Sequence, residues 1–201
     1  PMLGDALARI LQARGHKVFR HYYIDDVGRQ SSVIAYGYEK LGKPKPDDKP
    51  DHFIGKIYTI TSCLIEINRL KKELQRARSV SADEDMLKAN KNMGEWTGIA
   101  AELEGRYPEL FEKLLEKISK DENPEDAISK LNRAYEAGDP KAEKIVREVA
   151  ELCLEGFRAT LGRIGVSYAS WAWEGDFVWS GHVGQVLQKL EKSPYTHVEA
   201  G

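Results

Sequence analysis

The sequence has little of what chemistry is usually read from. Its two cysteines, Cys63 and Cys153, lie far apart with no Cys-x-x-Cys pair and no Cys/His ligand spacing, so buried reduced thiols are expected, not a disulfide or a metal site. The histidines, His16, His21, His52, His182 and His197, never fall at H-x-x-x-H or H-E-x-x-H spacing, so no two imidazoles share one helical face and no metal is expected. No run approaches the roughly 18 continuous apolar residues of a spanning helix, and the first residues lack the basic start and apolar core of a secretory signal. The expectation is a cytoplasmic chain with no membrane partner. A phosphate-cradling G-x-x-x-x-G-K-[ST] loop is absent; Ser180-Gly181-His182-Val183-Gly184 has only a lone G-x-x-G spacing and reads as a loop and helix start. Gly165-Val166-Ser167-Tyr168-Ala169 has Ala where a nucleophile elbow needs its second Gly, which argues against a hydrolase triad. Charge of one sign is lacking too. With 30 Lys and Arg against 32 Asp and Glu, the net charge of -2 gives no global attraction to polyanions, so any nucleic-acid contact must come from a local basic stripe.

What is present is a chain of 201 residues, 41% apolar and 31% charged, long enough for one domain or one domain with a large insertion. Leu3, Leu7, Ile10 and Leu11 recur at helical spacing, with Gly15 as a left-handed stop. This helix pattern opens without a cap or an incoming strand, which reads as a truncated piece. Lys17 to Ile24, β-branched and aromatic, predicts a strand; Asp25-Asp26-Val27-Gly28 supplies turn chemistry; Arg29 to Leu41 returns to helix. Gly42 to His52, with three prolines and mixed charge, predicts an extended connector.

From Phe53 to Arg78 the residues Ile54, Ile57, Thr61, Leu64, Ile65, Ile67, Leu70 and Leu74 predict one long amphipathic helix. A break at Ser79 to Asp83, capped by Ser81 or Asp83, precedes a helix from Met86 to Glu104 that Gly94 and Gly98 weaken. Pro108 to Lys120 is a further helix. Asn123-Pro124 and Asp139-Pro140 each place a capping side chain before a first-turn proline, predicting helices to Gly138 and to about Gly162. Beyond Gly165, VSYASWAWEGDFVW reads as strand and loop, His182 to Lys192 as a short helix ended by Ser193-Pro194, and Tyr195 to Val198 as a last strand. The fold class is α/β, an incomplete core interrupted by a large, mainly helical insertion.

Asp25 and Asp26 leave a strand at the edge where α/β sheets face their ligands, although turn capping explains them as well. Arg69, Lys72 and Arg76, spaced by three and four with Lys71 and Arg78 nearby, make a basic stripe suited to phosphates or simply a solvated helix end. Trp171, Trp173 and Trp179 could stack on bases, but such spacing more often fills a core. On these terms function stays open between an interaction module and part of an enzyme.

LGDALARIL, then YYIDDVGRQ, then TLGRIGVSYASWAWEGDFVWSG with HVGQVLQKLEKSPY, in this order and spacing, resemble the catalytic domain of archaeal-type arginyl-tRNA synthetases. The resemblance implies a class I synthetase with a Rossmann-type core that activates arginine with ATP and Mg2+ and transfers it to tRNA. Residues 1–42 would be the first part of that core, 43–162 a helical connective insertion near the tRNA, and 163–201 the return to the core. Asp25, Asp26, Gly28 and Gln30 would sit on the active-site rim, for architecture more than proton transfer, and Arg69, Lys72 and Arg76 would be tRNA-binding candidates. In such enzymes the His-x-Gly-His signature lies just before LGDALARIL and the Lys-Met-Ser-Lys-Ser type signature far beyond Gly201. No catalytic residue is then expected in the chain, and it would be inactive alone.

The chain departs from the family pattern at Ala169 and Ala172, where acidic residues are common, and at Gly175, where Ser is common; this weakens any carry-over of a role to Glu174 and Asp176. The alternative is a non-catalytic tRNA- or RNA-binding module or paralogue. A core without its neighbouring strands is also expected to self-associate through an exposed sheet edge.

Overall fold

The structure, a computed structural model, describes residues 1–79 and 83–197. In chain order the elements are α1 (Met2–Ala13), β1 (His21–Ile24), α2 (Arg29–Lys40), α3 (Pro50–Ser79), α4 (Asp83–Arg106), α5 (Pro108–Ser119), α6 (Pro124–Glu136), α7 (Pro140–Arg163), β2 (Ser170–Trp173), α8 (Glu174–Trp179) and α9 (His182–Glu191). The protein is mostly helical, with one two-stranded parallel sheet in which His21 to Ile24 face Ser170 to Trp173. Nearly the whole helical pattern of the sequence is realised.

The differences have local causes. The strand expected over Lys17 to Ile24 shortens to four residues because β2 supplies only four partners; the ladder begins where Ala169 and Ser170 donate to the Arg20 carbonyl. The connector ends earlier than His52, since Pro50 takes the first turn of α3, where its missing N–H costs nothing. Gly94 and Gly98 do not end α4, which α3 supports along Ala89, Trp96 and Leu103. The stretch read as loop after Trp173 folds instead into α8. No strand forms over residues 195–197, whose backbone finds no strand neighbour. The proposed caps at Ser81 and Asp83 and the end of that last strand at Val198 lie outside the described residues and side chains.

α2 is the hub. One face of it, with Val33 and Tyr36, packs with Ile60, Leu64, Phe111, Leu114 and Ile128 from α3, α5 and α6; another, with Ala35 and Tyr38, packs with Ile54, Ile57, Tyr135, Val146 and Val149 from α3, α6 and α7. At Gly37 a Cβ would meet Ile57 Cγ2 and Thr61 Cβ at 3.1 Å and overlap the Thr61 hydroxyl, so only glycine allows α2 and α3 to cross this closely. Lys40 pairs with Asp121 at 2.7 Å, and the buried Tyr36 hydroxyl donates to the same carboxylate at 2.6 Å, tying α2 to the turn after α5.

The ends are thinly covered. α1 buries only Ala8 and leaves Met2, Leu3, Leu7 and Ile10 exposed, held by an Asp5–Arg20 pair at 2.6 Å and by Arg9 donating to the Gly165 carbonyl at 2.8 Å. α9 buries no residue. Among the described residues no helix is long and apolar enough to cross a membrane.

Two glycine replacements should separate packing from propensity. Gly37→Ala overpacks the crossing and is expected to destabilise by about 1–3 kcal/mol, whereas Gly94→Ala, with open space around its Cβ, should stabilise by about 0.5–1 kcal/mol. Urea unfolding of both variants, read by circular dichroism, checks the opposite signs.

Candidate functional site

Because β1 and β2 run parallel with Ile24 opposite Trp173, the residues that follow, Asp25 and Glu174, leave the same edge of the sheet side by side. This is the C-terminal edge, where open α/β sheets place their ligands. Burial comes first among the causes that lift the Glu174 carboxyl above the ordinary glutamate range, and the Asp25 carboxyl, hydrogen-bonded to it, adds to the lift; the Tyr23 hydroxyl works the other way. The Tyr23 hydroxyl is raised in turn, by burial and then by Glu174. Two carboxyls in contact resist joint ionisation unless a proton or a cation sits between them. The edge thus gathers two carboxyls and a tyrosine hydroxyl at one point.

Beside it opens a cleft of about 530 Å³ between the end of β1, the start of α2 and the flank of α7. Of the residues singled out in the sequence, Asp25, Gly28 and Gln30 line this cleft. Gly28, at φ 118°, makes the sharp passage from strand exit to helix, and its carbonyl accepts from the Ser32 hydroxyl at 3.2 Å. Val146, Val149 and Phe157 form the apolar wall. Arg29 also borders the cleft but is committed to Glu125, at 3.1 and 2.8 Å.

Asp26 is placed differently. It is 1% exposed, faces away from the cleft, and accepts hydrogen bonds from the Tyr135 hydroxyl and, at 3.1 Å, from the Gly175 amide. Burial first, and then this bond, hold the Tyr135 phenol well above its ordinary value. A Cβ at Gly175 would lie 3.0 Å from Asp26 Oδ2, 3.1 Å from the Tyr135 hydroxyl and 3.2 Å from Trp179, tighter than side chains normally approach. A side chain at Gly175 would therefore crowd the buried Asp26 carboxyl and its partners.

Arg69, Lys72 and Arg76 lie elsewhere, around a separate hollow of about 220 Å³ at the start of α6. Arg69 is held between Glu66, at 2.5 Å, and Glu73, while Lys72 donates to Asn123 Oδ1 at 3.0 Å and to the Glu122 carbonyl at 3.2 Å. Much of the stripe's charge is spent within the protein. The sequence reading gave little weight to Glu174 and Asp176. The available signal was symmetry, since an acidic residue follows each strand. Asp176 pairs with Arg147, whose guanidinium lies 4.9 Å from the Trp173 ring and 5.0 Å from the Trp179 ring.

The described residues do not fit ATP with Mg2+ on their own. No group of three or more His, Cys, Asp or Glu among them could hold a metal ion, the cation beside the cleft is already paired, and the Asp25 carboxyl in its lining offers a triphosphate no positive charge. Both thiols are free, and burial pushes each up to about 11, which keeps them protonated and unreactive at neutral pH.

Comparison of the sequence with known proteins finds relatives along nearly the whole chain. The chain is 40% identical over 190 residues to the arginine–tRNA ligase of Sulfolobus acidocaldarius, a match covering 94% of this chain and 30% of that protein. It is 37% identical over 207 residues to the arginine–tRNA ligase of Aeropyrum pernix, covering 98% and 30%, and 40% identical over 192 residues to that of Ignicoccus hospitalis, covering 94% and 28%. The chain thus spans about 30% of the length of the curated relatives it matches. No family model and no solved structure matches it.

The raised Glu174 carboxyl has a consequence for stability. A native value above the unfolded one means that the folded state binds the extra proton, so stability falls as pH rises from the ordinary glutamate range, about 4.3, through the native value. Glu174→Gln should therefore melt higher than the parent chain at pH 7, and the gap should close at pH 4 or below. Thermal melts across that range test the sign.

Proposed function

We propose that this chain, related along nearly its whole length to archaeal arginine–tRNA ligases, is the stretch of such a ligase whose acidic strand edge holds the substrate's side chain. The observation that carries the proposal is the Asp25–Glu174 pair at the C-terminal edge of the parallel strands. A guanidinium is planar, permanently charged and able to donate in parallel to carboxylates, so it relieves the repulsion of the pair and satisfies both members. The apolar wall beside Asp25 suits the methylene stem of arginine. Asp25, Gly28 and Gln30 form the rim of this site, and Asp26 supports it from behind.

In this reading the parent enzyme is a class I synthetase with a Rossmann-type core. Arginine and ATP give arginyl-adenylate and pyrophosphate, and the arginyl group then passes to the terminal adenosine of tRNA with release of AMP. Residues 1–42 and 163–201 belong to the core, and residues 43–162 form the connective insertion beside the tRNA, with Arg69, Lys72 and Arg76 turned toward its phosphates. ATP with Mg2+ is held by parts of the ligase outside this chain, as are both signature motifs, so the chain alone is inactive. The enzyme works in the cytoplasm, and the free edges of the two-stranded sheet offer a route to self-association.

The test uses arginine and citrulline, its neutral isostere. Arginine should shift the Tyr23 and Glu174 resonances of the labelled chain, citrulline should not, and Asp25→Asn or Glu174→Gln should weaken the arginine response about 10- to 100-fold. Equal responses to the two ligands would refute the acidic-edge assignment. Arginine- and tRNA-dependent pyrophosphate exchange by the isolated chain would refute its inactivity.

A second reading, a non-catalytic RNA-binding module, draws on the hollow around Arg69, Lys72 and Arg76. It requires tRNA binding that weakens steeply as salt rises. Absence of binding at low salt sinks it.

A further inference from the structure

We infer that Tyr135 of α6 and Arg147 of α7 are positioning residues for Glu174, gripping α8 so that its first side chain meets Asp25. The inference rests on the reading of Asp25 and Glu174 as the arginine-binding pair, and it deepens that reading by naming what sets the pair's geometry.

α8 is only six residues long and has no side-chain cap of its own. Its first amides must find acceptors elsewhere, and a helix this short has few internal hydrogen bonds to fix its direction. The cap comes from Asp26, whose Oδ1 accepts from the Gly175 amide at 3.1 Å while Oδ2 accepts from the Tyr135 hydroxyl. At the other end of α8 the Trp179 indole donates to the Tyr135 carbonyl at 2.9 Å, and the two rings meet edge to face at 5.2 Å. One residue of α6 therefore holds the end of α8 directly, through its backbone, and the start of α8 through Asp26.

Arg147 closes the grip from the second side. Its guanidinium lies between the rings of Trp173, just before α8, and Trp179, at its end, and pairs with Asp176 in the middle. Glu143, at 3.4 Å, anchors Arg147 back to α7. A planar cation held by two aromatic faces and a carboxylate fixes orientation as well as charge. Every residue of this grip is outside the cleft lining, so neither Tyr135 nor Arg147 is placed to touch a ligand there.

The groups that face Glu174 are Tyr23, Asp25 and Asp26, all from β1 and its exit. Turning α8 changes the distance from Glu174 to all three, so the protonation of Glu174 reports the grip directly, without any ligand. A residue that merely stabilises the fold would not move it.

The experiment is a carboxyl-carbon NMR titration of the full 201-residue chain in three versions: parent, Tyr135→Phe and Tyr36→Phe. Tyr36→Phe is the matched control, since it removes another buried tyrosine–carboxylate bond, to Asp121, away from α8. In Tyr135→Phe the Glu174 midpoint should move down toward the ordinary glutamate range, and arginine binding should weaken about tenfold; in Tyr36→Phe the Glu174 midpoint should stay in place. An unchanged Glu174 midpoint in Tyr135→Phe, or an equal shift in Tyr36→Phe, overturns the inference. If Tyr135→Phe does not fold, Arg147→Lys takes its place, keeping the charge opposite Asp176 but losing the planar stack, with the same two outcomes read on Glu174. Should the parent chain ignore arginine while the titration shifts as expected, the arginine reading falls and the positioning role stands.

Discussion

The arrangement around the sheet depends on one buried carboxyl group. A carboxyl removed from water must find hydrogen-bond partners, and at Asp26 they come from 109 residues away, at Tyr135, and from 149 residues away, at Gly175. Meeting that requirement brings the exit of the first strand, the middle of the helical region and the start of α8 to one point. The two strands share only four residues each, too few to fix their surroundings unaided. The long chain between them is recruited to do so. The helices that intervene in sequence are therefore part of the site's support, through Tyr135 and Arg147, and not only a loop carried on it.

The acidic edge shows the opposite economy. Asp26 is fully satisfied, whereas Asp25 and Glu174 are left to face each other at the end of the sheet. The protein satisfies one carboxyl with hydrogen bonds from Tyr135 and Gly175 and, directly beside it, leaves two carboxyls hydrogen-bonded to each other. Joint ionisation of that pair is strained, and in the proposed function a guanidinium relieves the strain. Arg29 shows that the strain is not for want of guanidinium groups, since that side chain lies at the same cleft and is turned to Glu125 instead.

The helical part of this arrangement was legible because amphipathic spacing and proline-led starts are local signals: Asn123-Pro124 and Asp139-Pro140 marked the starts of α6 and α7. What could not be read was whatever depends on distant partners. β1 is half as long as its composition suggests because β2 sets the length of the ladder. α8 was hidden because its cap, Asp26, stands far away in sequence. At the cleft, Asp25 was singled out from the strand-exit pattern and Gly28 and Gln30 through the family resemblance, and all three line it, while Asp26 was singled out without its inward direction. Glu174 was passed over, since its value lies in register with Asp25 and a register is invisible until the strands pair. Lys72 looked free in the sequence because the groups that engage it across space, Asn123 and the Glu122 carbonyl, belong to the turn before α6, whereas the partners of Arg69, Glu66 and Glu73, were within one turn of it.

The close crossing at Gly37 reaches further than its own packing. The point where α2 is pinned against Thr61 lies eight residues, roughly 12 Å, from the rim at Arg29, on one rigid rod. A rod fixed near one end and backed by two cores along its length acts as a datum line, not as a moving jaw. The wall that faces α2 across the cleft is the flank of α7, whose Val146 and Val149 share a core with Ala35 and Tyr38 of α2. The width of the cleft is therefore fixed by that shared core, and α8, which contributes nothing to its lining, does not set it.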